Sequence, residues 1–217
     1  MARLKLIALT LSFLLLSACA GELKFTPPAE SYSLNNSTTV NKNKDEVWKT
    51  IVPQLGKSFF VINNLDKESG IINVSYSGNP ENYVDCGRIY SYVKNARGER
   101  TYDFPASRGH QQYEVMEKGE YYTCDRKIDC EGRINVIVQE ISSNETQISI
   151  NIKYVLTKTA RVSNAMGDSR TSTDTISFVS GQQGQFRGSG QYSGTICKSN
   201  GRLEQEILSI LSSGLRQ

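Results

Sequence analysis

The sequence predicts an α+β domain: a curved antiparallel sheet packed by one helix near its start and one at its end, and stapled by disulfides. Three observations carry this. Residues 133–141 and 147–156 alternate apolar and polar side chains on either side of Asn144-Glu145, the pattern of a half-buried hairpin. Val47, Trp48, Ile51 and Leu55 early in the chain, and Leu203, Ile207, Ile210 and Leu211 at its end, recur at helical spacing. Cys86, Cys124, Cys130 and Cys197 form an even set beyond an isolated Cys19.

The first 18 residues have the anatomy of an export signal. Arg3 and Lys5 supply a positive start, and Leu6 to Leu16 is an apolar run broken only by Thr10 and Ser12. At about 1.5 Å per residue, such a run covers only about half of a ~30 Å hydrocarbon core, too little for a permanent span. Leu16-Ser17-Ala18-Cys19 resembles the lipobox of bacterial lipoproteins. That resemblance implies cleavage before Cys19, with acyl chains of the palmitate type on its sulfur and its freed amine. Ala20 and Gly21 follow in place of the Asp that favours inner-membrane retention in such lipoproteins, which points to the outer membrane with the domain facing the periplasm. Two or three chains anchor firmly, since each buried methylene contributes about 0.8 kcal/mol.

Removing residues 1–18 takes two of the 25 basic residues and none of the 22 acidic ones, so the mature chain is close to neutral. Basic and acidic residues are interleaved, as in Asp66-Lys67-Glu68, which is no footprint for nucleic acid. Residues 19–30, with Pro27-Pro28, are expected to form the lipid anchor and an extended tether. Residues 31–217 then form a single domain. With Cys19 lipidated, the other four cysteines can pair in three ways in an oxidising compartment. The short Cys124–Cys130 spacing favours a local bridge across a hairpin loop, leaving Cys86 to pair with Cys197.

The elements follow in order. Residues 31–40 alternate imperfectly as a first strand. Asn43 caps a helix whose first turn holds Asp45 and Glu46, with Pro53 inside it and Gly56 at its end. Residues 59–65 and 70–77 are strands joined by Asp66-Lys67-Glu68-Ser69, with Ile72, Val74 and Tyr76 on one face. Residues 89–93 are apolar-rich, and 95–120 form a long polar loop containing Pro105. In the hairpin that follows, Ile148, Ile150, Ile152 and Tyr154 pack inward while Ser149, Asn151 and Lys153 face out. A second polar loop spans 161–173, followed by a strand at 174–179, a Gly/Gln/Ser-rich stretch at 181–194 and a short segment at 193–198. Ser199-Asn200 supplies cap material for the terminal helix at 202–215.

Asp45-Glu46-Val47-Trp48, then Phe60-Val61-Ile62, Asp66 and Gly70-Ile71-Ile72-Asn73-Val74, resemble the opening of helix-grip modules. Such modules occur in lipoproteins accessory to outer-membrane barrel assembly. The resemblance covers about 35 residues; it implies a helix-grip-like fold and an envelope protein partner.

Chemistry is sparse. His110 is the only histidine, in a polar loop, and no Gly-x-Ser-x-Gly elbow accompanies it. Glu114, Glu117 and Glu120, or Asp125 and Asp129, could form an acid pair, but a solvated acidic face is the simpler reading. Cysteines spaced C-x5-C with no histidine nearby do not suit zinc. The glycines of 184–194 do not follow the phosphate-binding spacing. Trp48 fits the core, as do Tyr83, Tyr90 and Tyr92, although those tyrosines could instead line a groove. The expectation is therefore a non-catalytic binding or scaffold lipoprotein, without catalytic residues, metal or cofactor. Its rivals are a surface lipoprotein using the loops 95–120 and 161–173 for glycan or host ligands, and a peptidoglycan hydrolase.

Overall fold

The structure, a computed structural model, describes residues 20–29, 34–188 and 194–215. The expected signal, Cys19 and the first residues of the strand predicted at 31–40 lie outside the described residues. Among the described residues antiparallel sheet dominates, with two α-helices and one disulfide, an α+β arrangement stapled by a cystine.

Two long strands organise the molecule: β9 (Glu120–Ser142) and β10 (Glu145–Asn164), paired along nearly their whole length. The strands β1 (Ala20–Thr26), β2 (Ser37–Val40), β3 (Val61–Asp66), β4 (Ile71–Gly78), β5 (Val84–Asp85), β6 (Arg88–Asn95), β7 (Gly98–Pro105) and β8 (His110–Glu117) precede them. β11 (Ser169–Val179), β12 (Gln183–Phe186) and β13 (Thr195–Ser199) follow. Along its outer edge β9 pairs first with β8 and then with β4, which in turn carries β3. Along its own outer edge β10 pairs first with β2 and then with β11. Each long strand is thus shared by two half-sheets. Two three-stranded sheets flank this ribbon, β1-β6-β7 and β12-β13-β5.

One half is covered by α1 (Lys44–Lys57) and α2 (Arg202–Leu215), which pack on each other and on β9 and β10. Ile134, Val136 and Val138 of β9 and Ile148, Ile150, Ile152 and Tyr154 of β10 face the helices and are fully or almost fully buried. Alternation of period two sets that face, and Val47, Ile51 and Leu55 of α1 with Leu203, Ile207 and Leu211 of α2 close it. Asn43 Oδ1 accepts from Glu46 N at 2.9 Å, and Asn200 Oδ1 accepts from Arg202 N at 3.0 Å. Under the first turn of α2, buried Glu204 accepts from Tyr154 Oη at 3.0 Å and from Ser180 Oγ at 2.8 Å. That contact fastens the helix to the sheet.

Four expectations are corrected. The tether at 19–30 is a strand from Ala20 to Thr26, because Gly21, Leu23 and Phe25 alternate and β6 offers an open edge. Pro27 and Pro28 then lie against Gly87, which has positive φ and where the backbone oxygen of Thr26 leaves no room for a Cβ. The loop expected at 95–120 is strand on both sides of tight turns. Lys118 and Gly119 both take φ > 0, as a two-residue hairpin turn requires. The loop expected at 161–173 is likewise the β10–β11 hairpin, turned where Asn164 Oδ1 accepts from Met166 N and Asp168 N. Finally, Cys124 and Cys130 are free thiols. They sit six residues apart on β9, about 20 Å along an extended chain, beyond the roughly 7 Å Cα separation a disulfide tolerates. Cys86 and Cys197 do form the expected bridge, brought opposite each other by the register of β5 and β13.

Candidate functional site

His110, Glu114, Cys124 and Asp125 gather at the half of the ribbon that lacks helices. There the β6–β7 hairpin packs beside β8, and Ser91 Oγ donates to the backbone oxygen of Glu114 at 2.6 Å. A cleft of about 420 Å³ opens between them, lined among others by Tyr102, Tyr113, Glu114, Cys124, Asp125 and Arg161. Cross-strand register builds it: Gln112 stands opposite Asp125 and Glu114 opposite Thr123, so Glu114 and Asp125 lie on the same face, one step apart along the ladder.

Both carboxylates are engaged. Arg100 Nε donates to Glu114 Oε2, and that hydrogen bond is the first cause that raises the guanidinium above its already high ordinary range. The phenols of Tyr102 and Tyr121 are pushed up, chiefly by burial and further by the Glu114 charge. Asp125 accepts from Gln112 Nε2 at 2.8 Å, and His110 Nε2 lies 2.8 Å from its other oxygen. These contacts, Gln112 first, hold Asp125 below the usual aspartate range. A hydrolase pair needs one carboxyl kept protonated and one ionised; Asp125 is held ionised, and Glu114 sits against a guanidinium. The thiol in the cleft, Cys124, is pushed up to about 11 by burial, leaving only about one part in ten thousand as thiolate at neutral pH. The arrangement suits hydrogen bonding to a polar partner better than proton transfer.

The other sequence candidates scatter. Glu117 and Glu120 face each other across the β8–β9 turn, away from Glu114. Asp129 pairs with Lys127 at 3.1 Å on an exposed face. Tyr83 is buried and donates to Glu206 Oε2 at 2.7 Å in a second hollow beside α2, about 460 Å³ in volume. Tyr90 and Tyr92 are half-exposed, with Ile89, Ser91 and Val93 of β6 turned inward. Trp48 is in the core. Cys130 is buried, its thiol pushed up to about 12. Arg100, Tyr102, Gln112 and Arg161 were not singled out by sequence. Arg100-Thr101-Tyr102-Asp103-Phe104 does alternate after the turn glycine Gly98, and that signal was available.

Among the described residues no group of three or more His, Cys, Asp or Glu is placed to hold a metal ion, and no helix is long and apolar enough to cross a membrane. Comparison of the chain with protein-family models, curated proteins and solved structures finds no match.

Proposed function

We propose that this chain is an outer-membrane lipoprotein, anchored through Cys19, whose periplasm-facing domain is a non-catalytic binding or scaffold subunit of an envelope assembly. The observation that carries the reading is positional: a lipobox cysteine stands one residue ahead of the first strand of a β-rich domain. The buried Cys86–Cys197 bridge supports export to an oxidising compartment. Two helices packed together against the ribbon favour a helix-grip-like arrangement. The engaged state of Glu114 and Asp125 favours binding over catalysis. Anchoring confines the domain to a thin layer, so that contacts too weak in free solution become populated.

The test is cross-linking in intact cells, then detergent extraction, purification through a C-terminal tag, and mass spectrometry. The expected result is an envelope protein recovered in near-equal amount, and lost when Cys19→Ser is combined with an ordinary cleavable signal. Recovery of no protein, or equal recovery without the anchor, sinks the accessory reading.

A further inference from the structure

The three hairpin turns nearest the N-terminus of the described chain gather at one end of the molecule. Ala20 stands opposite Lys94, just before the β6–β7 turn at Ala96-Arg97. Gly21 lies against Met116, just before the β8–β9 turn at Lys118-Gly119. Tyr122 of β9 stands opposite Asn164, where β10 turns through Met166 into β11. The β9–β10 turn, at Ser143-Asn144, is at the far end of a ribbon whose β10, 20 residues long, measures about 65 Å at full extension.

From this juxtaposition the geometry points to a membrane-docking surface: the turns at 96–97, 118–119 and 165–168 rest on the bilayer and fix the domain's orientation. The inference rests on Cys19 being the anchor. Consecutive Cα atoms are about 3.8 Å apart, so a lipidated Cys19 leaves no spacer between the acyl chains and β1. The paired strand Ala20–Thr26 cannot pay out as a tether without losing its ladder to β6.

The residues at this end fit a headgroup layer. Met166 is 91 % exposed at the tip of its turn. Arg97 and Lys118 are exposed at theirs, where long aliphatic stems can lie along the interface with the charge toward phosphate. Tyr92, Tyr121 and Tyr122 stand a few residues back, half-exposed, as amphipathic rings do at a membrane boundary. Acids share the end: Glu99 is paired with Lys94 at 2.6 Å, Asp168 accepts from Asn164 Nδ2, Glu120 accepts from Tyr122 Oη, and Glu117 faces Glu120. Charge is therefore nearly balanced, and the anchor rather than electrostatics supplies residence. The turns supply orientation, which aims the helix-covered half away from the membrane.

The experiment uses the full lipidated chain in phosphatidylethanolamine–phosphatidylglycerol vesicles, with and without brominated acyl chains. Met166→Trp reports the docked end and Asn144→Trp the far end; Trp48 is a constant background in both. Both sites are exposed turns, so neither substitution disturbs the core. The expected result is loss of most of the added emission in Met166→Trp and none in Asn144→Trp. Vesicle flotation is read on the same samples. Protein that floats but shows equal or no quenching at the two positions overturns the docking while the anchor stands. Protein that does not float overturns the anchor, and the docking with it.

Discussion

The two halves of the β9–β10 ribbon are made of the same strands and are covered by different elements. Toward the β9–β10 turn, Ile134, Val136, Ile148 and Ile150 lie under α1 and α2 with almost no exposure. Toward the other end, the same strands carry Asp125, Lys127, Thr157, Thr159 and Arg161, and their neighbours are strands rather than helices. One half is stabilised by removing apolar surface from water beneath the helices. The other buries apolar side chains between strands instead, among them Ile89, Val93, Phe104, Val115 and Leu156, and adds cross-strand polar pairs such as Thr157–Thr175 at 3.2 Å and Arg88–Asp103 at 2.9 Å. Helices cover the first end, strands alone cover the second, and the polar cleft is at the second.

The largest effect should come from the bridge that closes the buried half. Cys86 and Cys197 are 111 residues apart in sequence and both fully buried. Replacing both with serine should cost about 4–5 kcal/mol of unfolding free energy in a chain-entropy account, read from denaturant midpoints. Peptide mapping of the unreduced protein gives an independent check. It should find a Cys86–Cys197 link, with Cys124 and Cys130 alkylated only after unfolding, since burial pushes both thiols far above neutral. A Cys124–Cys130 link would break the description of β9 as one continuous strand.

The next test sets one half against the other. Ile150→Ala removes a fully buried side chain beneath the helices and should destabilise by about 3–4 kcal/mol. Thr159→Ala, in the open half, removes a weak hydroxyl contact to Thr173 at 3.4 Å and should cost less than about 0.5 kcal/mol. Equal shifts in thermal midpoint would show that both halves unfold from one evenly distributed core, and the contrast would fall.

The same contrast explains what could be read without a structure. Ile148, Ile150, Ile152 and Tyr154 point inward and Ser149, Asn151 and Lys153 outward as their alternation predicts, and Asn43 caps a helix buried through Val47, Trp48, Ile51 and Leu55. Burial writes itself in apolar periodicity. Strands from Gly98 to Glu117, and β11 from Ser169, have little of it, because solvent or a polar cleft meets much of their surface; Gly, Arg and Glu then look like loop composition. Ala20–Thr26 was missed for a related reason, since seven residues with two apolar side chains turned one way carry too little pattern to outweigh the Pro-Pro that follows. The cleft was half legible. His110, Glu114 and Asp125 stand out by residue type, but Gln112 reaches Asp125 through the β8–β9 register and Arg100 reaches Glu114 from a separate sheet, neither of which a single sequence states.

The smallest effect sharpens the comparison most locally. Asp125 is solvent-exposed, and its carboxyl is held below the ordinary aspartate range by Gln112 and then by His110. A lowered folded-state value means that the ionised form is favoured in the fold. The contribution to stability is therefore fully present above the unfolded value of about 3.9 and is lost as pH falls through the folded one. Carboxyl-carbon NMR should place the Asp125 midpoint below that of a free aspartate. Gln112→Ala and His110→Ala should each raise it, because each removes a donor to the carboxylate. A midpoint at the ordinary value, or one unmoved by Gln112→Ala, would mean that the contacts drawn at Asp125 are not populated in solution. With them present, acidification through the Asp125 midpoint should loosen the β8–β9 pairing around Asp125, read as faster amide exchange there.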